Sequence, residues 1–156
     1  MIFLTVGTSR YPFDRMLSSV DKILRQINCK EELIAQTGCS LYVFQYKYTK
    51  VFHELSHETF HSSITKARIV ITHGGMGSLL HCFQYAKNKP FVYIRDKKFK
   101  EHIDNHQREI SRYLETQEYI VTDSLDTYLR HPKKNIKRAL REGILVHKLA
   151  SYITLR

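Results

Sequence analysis

Cysteine is scarce in this chain of 156 residues, and its scarcity argues against two kinds of cross-linked fold. Cys29, Cys39 and Cys82 are an odd number of cysteines and include no C-x-x-C pair. They therefore predict neither a disulfide framework nor a cysteine zinc site. We expect a protein of the reducing cytoplasm.

Long apolar stretches and export signals are also missing. No apolar run approaches the roughly 20 residues that cross a bilayer, and no basic leader precedes the first apolar residues. The sequence thus predicts neither a membrane span nor export by the usual signal peptide. It has no internal repeat or low-complexity linker, and 42% hydrophobic content predicts one globular domain with a substantial core.

Acidic residues are few relative to basic ones. The chain has 25 lysines and arginines against 15 acidic residues, a formal net charge of +10. This charge attracts anions, which include nucleotides, nucleic acids, acidic partners and lipid surfaces. Because charge does not choose among them, a basic nucleic-acid-binding α/β domain stays open as one interpretation.

Apolar strands alternate with helices along the chain. Strands are predicted at 2–6, 33–36, 42–49 with a continuation to 51–52, 69–72, 91–94 and 119–121. Helices are predicted at 13–27, from an N-cap at Ser56 to 66, and at 79–86, 101–114 and 125–129. This alternation predicts an α/β fold, a Rossmann-like parallel sheet with helices on both faces.

A glycine-rich turn follows the predicted strand that ends before His73. Gly74, Gly75 and Gly77 lack the Cβ atoms that would keep a ligand away from the backbone. NH groups at the start of the next helix, together with its dipole, favour a phosphate or diphosphate there. Neither the G-x-G-x-x-G nor the Walker pattern is present, so the glycines could also serve only a sharp strand-to-helix connection.

Ligands of parallel sheets bind at the carboxyl ends of the strands. The turn at 7–9, the His73 loop and the segment 95–107 are therefore expected along one edge of the sheet. The polar side chains of these segments include Thr8, Thr72, His73, Ser78, Arg95, His102, Asp104, His106 and Gln107. Such a set suits a diphosphate that carries a hydroxyl-rich group such as a sugar.

Several motifs together resemble a known family. They are Val6-Gly7-Thr8, Phe13-Asp14-Arg15, Ile71-Thr72-His73-Gly74-Gly75, Gly77-Ser78, Arg95 and Glu101-His102-Ile103-Asp104-Asn105-His106-Gln107. Over roughly residues 1 to 129 the chain resembles the glycosyltransferase family 28 C-terminal domain, the C-terminal half of GT-B glycosyltransferases. That family includes bacterial capsule and exopolysaccharide subunits and the catalytic subunit of eukaryotic UDP-N-acetylglucosamine transferase.

The resemblance implies a nucleotide-sugar-binding domain at 1–129. Its donor is usually a UDP-sugar, and a membrane-associated partner subunit supplies the acceptor-binding half. The acceptor is commonly a lipid-diphosphate-linked saccharide, which places the protein at the inner face of the membrane through its partner. The family needs no bound metal, and we expect no cofactor.

The resemblance also assigns donor-binding roles by position. His73, Gly74, Gly75, Gly77 and Ser78 would face the diphosphate, with Arg95 as a further stabiliser of its charge. Gly7 and Thr8 would line the floor of the cleft. Gln107, with Asp104 or His106, would contact the sugar hydroxyls. No carboxylate in these motifs is an evident general base, so the catalytic residue is left open and the partner could supply it.

Two positions depart from the family pattern. His81 stands where the family often has an acidic residue for the ribose hydroxyls, and Ile94 stands where a proline usually precedes the arginine. A non-catalytic subunit that stabilises another transferase therefore stays open as an alternative to the donor-binding enzyme.

Other features have simpler interpretations. His53, His57 and His61 recur every fourth residue, but His53 should precede the helix, and no metal site is predicted. The aromatic residues from 42 to 48 suit either a base-stacking surface or a strand packed on the core. Asp14 with Arg15 is interpreted as an exposed ion pair, and Glu101 as a charge at a helix N-terminus.

The segment 130–156 is predicted to be a basic helical tail. Its basic residues are Arg130, Lys133, Lys134, Lys137, Arg138, Arg141, Lys148 and Arg156, and its one acid is Glu142. Apolar residues recur at helical spacing, so a helix would have one apolar and one basic face. We expect the apolar face to pack on the domain or its partner and the basic face to lie against an anionic membrane surface.

Overall fold

The computed structural model describes residues 1–103, 106–116, 118–121 and 123–134, with the backbone alone at residues 106 and 109. Five parallel strands form its sheet: β1 (Ile2–Thr5), β2 (Leu33–Gln36), β3 (Thr49–Phe52), β4 (Ile69–His73) and β5 (Phe91–Tyr93). Their order is β3-β2-β1-β4-β5, and every neighbouring pair is parallel. The predicted Rossmann-like fold is confirmed.

Five α-helices of the described residues connect or follow the strands. They are α1 (Asp14–Gln26), α2 (His57–Lys66), α3 (Met76–Tyr85), α4 (His106–Thr116) and α5 (Leu125–Arg130). The predicted N-cap of α2 is confirmed, because Ser56 Oγ accepts a hydrogen bond from Thr59 N at 3.2 Å. Within the described residues, no helix has the length and apolar character needed to cross a membrane.

The core lies on both faces of the sheet because side chains alternate along each strand. On one face, Ile2 and Leu4 of β1 pack in a cluster with residues of α1 and α5. On the other face, Phe3 packs with Ile64 of α2 and Cys82 of α3. A third cluster joins α3 to α4, and this contact holds the segment that follows β5 against the rest of the domain.

The strand predicted at 42–49 is wrong. The alternating aromatics do turn toward the core, and Tyr46 is buried, but the strand beside β2 is Thr49–Phe52. The buried Asp21 of α1 is the reason. Its Oδ1 accepts hydrogen bonds from Gln45 N at 3.0 Å and Tyr46 N at 2.8 Å, so these amides bond a carboxylate instead of a neighbouring strand.

Two predicted helix starts and one predicted strand were also wrong. Helix α3 begins at Met76 rather than at 79, and α4 begins at His106 rather than at 101. The predicted strand at 119–121 is absent from the described residues, although Val121 N donates a hydrogen bond to Pro90 O at 3.3 Å. Asp104 and residues 135–156 of the predicted tail lie outside the described residues.

Candidate functional site

The candidate site lies where the strand order reverses. Strands β1 and β4 are neighbours, with Thr5 opposite Thr72, but β1 leads outward to β2 and β4 leads outward to β5. The loops after β1 and β4 therefore diverge over opposite faces of the sheet and leave a crevice at its carboxyl edge. Gly7 and Thr8 border this crevice from one side, and the turn after His73 borders it from the other.

A cavity of about 420 Å³ occupies the crevice. Its lining residues are Gly7, Thr8, Gln36, Glu54, Leu55, His57, Phe60, His73, Gly77 and Ser78. A larger cavity of about 510 Å³ lies between loop 37–48 and β3, but most of its lining residues are apolar or aromatic. The crevice is the stronger candidate because it combines polar side chains with a helix N-terminus.

The His73 imidazole fills the space between two glycines. A Cβ atom at position 7 would lie 2.4 Å from His73 Cε1, and a Cβ atom at position 75 would lie 2.2 Å from His73 Nε2. Gly7 also has a φ of +73°, which disfavours any residue with a side chain. These two glycines are thus explained by the packing of His73, whether or not a ligand is bound.

Burial and charge keep the His73 side chain neutral. Burial, followed by the positive charge of Arg95, lowers the pKa of His73 to about 4. The Nδ1 atom is buried and has no hydrogen-bond partner among the described residues. His73 lines the crevice with a neutral imidazole, and it brings no positive charge at neutral pH.

The N-terminus of α3 supplies the anion-binding element of the crevice. Gly75 is the N-cap residue, and no side chain of the described residues caps this end. Gly77 lies in the first turn, where a Cβ atom would meet nothing within 4 Å. Free amides and the positive end of the dipole thus face an open space, as an anion site requires. Ser78 adds a hydroxyl to the same turn.

Arg95 is buried and holds the surrounding loops together. Its NH1 donates to Tyr11 O at 2.8 Å and Glu101 O at 3.0 Å, and its NH2 donates to Val6 O at 2.9 Å. The guanidinium also stacks 4.6 Å from the centre of the Phe13 ring. These bonds commit its two terminal nitrogens to backbone carbonyls, and its buried Nε has no hydrogen-bond partner among the described residues. Its contribution to a diphosphate would therefore be mainly its charge.

The remaining predicted site residues differ in placement. Gln107 is buried beside Gly74, and its Oε1 accepts a hydrogen bond from Arg95 N at 3.4 Å. Asp104 and the His106 side chain lie outside the described residues. Thr72 is fully buried, so its hydroxyl does not reach the edge of the sheet as expected. The predicted donor contacts of these residues stay predictions.

Arg15 and Glu101 form an ion pair. The sequence interpretation had instead paired Arg15 with Asp14 and had assigned Glu101 to a helix N-terminus. Arg15 Nε and NH2 donate to the two Glu101 carboxylate oxygens at 2.9 and 2.7 Å, and NH2 also donates to Ile94 O at 2.8 Å. Glu101 is buried and precedes α4, so it is not a charge in the first turn of that helix. The pair ties α1 to the segment after β5.

Five lining residues were missed by the sequence interpretation: Gln36, Glu54, Leu55, His57 and Phe60. Gln36 ends β2, and the other four lie after β3, in the following loop and in α2. The rule that placed Gly7 and His73 at the carboxyl edge predicts these positions too. The residues after β3 were missed because the third strand was predicted several residues too early, whereas Gln36 was missed although the end of β2 was predicted correctly.

His81 belongs to a histidine cluster beside the crevice. His61 Nδ1 lies 3.0 Å from His81 Nε2, and the His57 and His81 rings are 5.8 Å apart. Burial, with the charges of its two neighbours, lowers the pKa of His81. His53 precedes α2, as expected. In the part of the chain that the structure describes, no group of three or more ligand side chains is arranged to hold a metal ion.

Comparison with known proteins agrees with the fold. The family model described as the glycosyltransferase family 28 C-terminal domain matches residues 1–142. No curated protein and no solved structure matches the chain.

Proposed function

The chain belongs to the glycosyltransferase family 28 C-terminal domain family, and from this membership we propose that it is the donor-binding subunit of a two-component glycosyltransferase. The proposed donor is a UDP-sugar, and the proposed acceptor is a saccharide linked to a lipid diphosphate. A membrane-associated partner subunit would supply the acceptor-binding half and hold the complex at the cytoplasmic membrane face. Capsule or exopolysaccharide synthesis is the proposed setting.

The uncapped N-terminus of α3 in the crevice is the observation that carries this proposal. The crevice joins that N-terminus to the turn after β1, the neutral His73 and the hydroxyl of Ser78. The first amides of a helix have no acceptor within the helix, so they can donate to a diphosphate without breaking other hydrogen bonds.

The proposed reaction displaces the nucleotide from the anomeric carbon of the sugar. An acceptor hydroxyl attacks that carbon, its proton passes to a general base, and the bond to the diphosphate oxygen breaks with the electron pair leaving on the diphosphate. Negative charge grows on the departing phosphate, where the α3 amides and the nearby charge of Arg95 would stabilise it. His73 would donate a hydrogen bond in its neutral form.

Glu54 is proposed to take the ribose hydroxyls. It is an exposed carboxylate that lines the crevice beside His57. It would take the role of the acidic residue that the family often has at the position of His81. A carboxylate can accept hydrogen bonds from two neighbouring hydroxyls.

In Glu54→Gln, the preference for UDP over 2′-deoxy-UDP should shrink by several-fold, whereas Glu58→Gln in α2 should keep it. Equal preferences in all three proteins would remove Glu54 from the site.

A nucleotide-sugar panel tests the donor class. Thermal shift and calorimetry on the full chain should show binding of UDP and one or more UDP-sugars, with weaker binding of GDP and dTDP conjugates. The measurement is repeated with a membrane-associated partner when one is identified. Absence of nucleotide binding, combined with RNA or DNA binding that falls steeply with salt, would favour the nucleic-acid interpretation. Partner binding with no donor binding would favour a non-catalytic stabilising subunit.

Gly77→Ala separates ligand access from packing. Because a Cβ atom at this position meets nothing within 4 Å, the fold should be kept, and alanine should raise helix stability by up to about 1 kcal/mol. If a diphosphate approaches the α3 backbone here, the same methyl group should weaken UDP binding at least tenfold. A variant that is more stable and binds UDP normally would contradict the placement of the diphosphate at this turn.

A further inference from the structure

The loop after β5 presents apolar and basic side chains to solvent together. We call residues 97–103 the basic loop. Phe99 and Ile103 are 51% and 60% exposed, which is high for large apolar side chains. Lys97, Lys98 and Lys100 are also exposed in the same short segment. An aromatic and an aliphatic side chain surrounded by lysines is the composition of a surface that enters the interface of a lipid bilayer.

Hydrogen bonds within the basic loop fix its backbone conformation. Its first part is a 3₁₀ turn, Lys97–Phe99, capped by Asp96, whose side chain accepts a hydrogen bond from Lys98 N at 3.0 Å. Lys100 N donates to Lys97 O at 2.9 Å and has a φ of +58°. The Arg15 guanidinium lies 4.9 Å from the centre of the Phe99 ring, so the exposed ring is supported from the protein side.

Two buried acidic residues beside the basic loop, Asp96 and Glu101, have basic partners within the domain. Asp96 pairs with Arg108 and lies 3.7 Å from Lys98 Nζ, and Glu101 pairs with Arg15. Both carboxylates are buried, whereas the lysine side chains are exposed. Exposed Arg10 lies on the neighbouring turn, where Tyr11 packs 6.3 Å from the His102 ring. Among the described residues, the exposed charged side chains of this face are therefore mostly basic.

The type of positive charge distinguishes a membrane from a protein partner. Lysine is depleted in protein interfaces, where arginine and aromatic residues are enriched. An anionic bilayer, in contrast, attracts each nearby lysine and accepts apolar side chains below its head groups. Three lysines around Phe99 and Ile103 thus fit an anionic lipid surface better than a protein surface.

We propose that the basic loop docks on an anionic bilayer through Phe99 and Ile103, with Lys97, Lys98, Lys100 and Arg10 against the lipid phosphates. The loop starts four residues after Tyr93, which is paired in register with His73, so docking would place the donor crevice beside the membrane surface. The proposed function explains why a lipid-linked acceptor should be there, but the docking itself needs no sugar donor.

Vesicle flotation of the full chain tests this proposal. The vesicles contain phosphatidylglycerol and phosphatidylcholine, or phosphatidylcholine alone, and no nucleotide sugar is present. Binding should require the anionic lipid and weaken in high salt. Lys97→Gln/Lys98→Gln/Lys100→Gln should lower the partition coefficient about fivefold per lysine, on the order of a hundredfold in total. Phe99→Ser/Ile103→Ser should lower it roughly tenfold or more.

Matched variants show whether the effect belongs to this surface. Lys22→Gln/Lys47→Gln/Lys66→Gln removes three exposed lysines elsewhere, and Leu41→Ser/Val43→Ser removes two side chains that are 83% and 80% exposed. Both controls should bind vesicles within about twofold of the natural chain. Circular dichroism and the thermal midpoint confirm that each variant is folded.

Unchanged flotation of both loop variants would overturn the proposal, and so would equal losses in the loop and control variants. Either result would favour a protein partner, rather than a bilayer, as the binding partner of the exposed loop. Donor binding is measured separately on the same proteins. A chain that floats as predicted but binds no nucleotide sugar would defeat the proposed function alone, and a chain that binds a donor but does not float would defeat the docking alone.

Discussion

His73 and its two flanking glycines are the tightest arrangement in the candidate site. The imidazole occupies the volume that side chains at positions 7 and 75 would need. The ring is therefore held in one position before any ligand binds. This arrangement assigns different tasks to glycines that look equivalent in the sequence, since Gly75 accommodates a side chain and Gly77 faces open space.

Gly75→Ala should destabilise the protein and disturb the crevice. Its methyl group would lie 2.2 Å from His73 Nε2, so the imidazole must leave its position or the α3 N-terminus must shift. Overpacking of this kind costs about 1 to 3 kcal/mol. Urea unfolding measures the loss, and the matched variant Gly77→Ala should show none. If both alanines have the same effect, the glycines at this turn serve only helix propensity.

The neutral state of His73 should make the folded protein sensitive to acid. Its pKa is about 4 in the folded chain and near 6.5 when unfolded, so between these values the unfolded chain binds more protons. Stability should be complete above pH 6.5 and fall as the pH drops toward 4, by up to about 3 kcal/mol.

Unfolding free energies at pH 7.0 and 4.5 check this expectation. His73→Gln, which has no titratable group, should lose markedly less stability over this range than the natural chain. His131→Gln, a change at an exposed position, should behave like the natural chain. A His73→Gln profile parallel to that of the natural chain would show that other groups cause the acid sensitivity.

At the scale of elements, helix α1 organises the loop before β3. Asp21 lies on its buried face, where its carboxylate accepts from two loop amides, from the Tyr42 hydroxyl at 3.1 Å and from Arg25 Nε at 3.1 Å. These bonds take the place of a strand ladder. The aromatic side chains can therefore pack on the core without the backbone joining the sheet.

Asp21→Ala should release this loop. Removal of the carboxylate leaves the Gln45 and Tyr46 amides without their partner, at a cost of about 3 kcal/mol. Hydrogen exchange should accelerate at both amides. Asp21→Asn keeps an oxygen at the Oδ1 position, so it should preserve most of that protection while losing the contact with Arg25. Unchanged exchange in Asp21→Ala would show that the loop is held by its aromatic packing alone.

Across the whole molecule, the packed domain extends past the predicted boundary at residue 129. Lys89 N donates to Lys133 O at 2.8 Å, and Asn88 forms a bridge with Lys134. Lys133 Nζ also lies 2.7 Å from an Asp123 carboxylate oxygen. These contacts join the residues after α5 to the turn before β5. The division into a domain at 1–129 and a tail at 130–156 is still a prediction, and we expect the folded unit to run through Lys134.

Two truncations test this boundary. A chain that ends at Lys134 should keep the cooperative unfolding of the full chain, whereas one that ends at Leu129 should lose about 1 to 3 kcal/mol with the broken backbone bonds. Thermal and urea unfolding of both proteins give the comparison. Equal stability of the two truncated chains would support the boundary at 129.

The predictions from sequence succeeded where the signal was local. Short β-branched runs before turns identified β1, β2, β4 and β5, and Ser56 identified the start of α2. They failed where a distant group set the local structure. Nothing near Tyr42 indicates that Asp21 will bind its loop, and nothing near Arg15 indicates that its partner is Glu101, 86 residues away. Propensity gives way to tertiary contacts at such positions.

The order of strands, helices and glycine turns was enough, by itself, to determine the fold class and the edge of the sheet where a ligand should bind. Hydrophobic periodicity specifies elements, and the carboxyl-end rule then places the loops. The tertiary structure decided what each group at that edge does. It committed Arg95 to backbone carbonyls, made His73 neutral by burial, and brought Glu54 into the crevice. Burial, charge and hydrogen-bond partners depend on neighbours distant in sequence, so they exist only once the chain has folded.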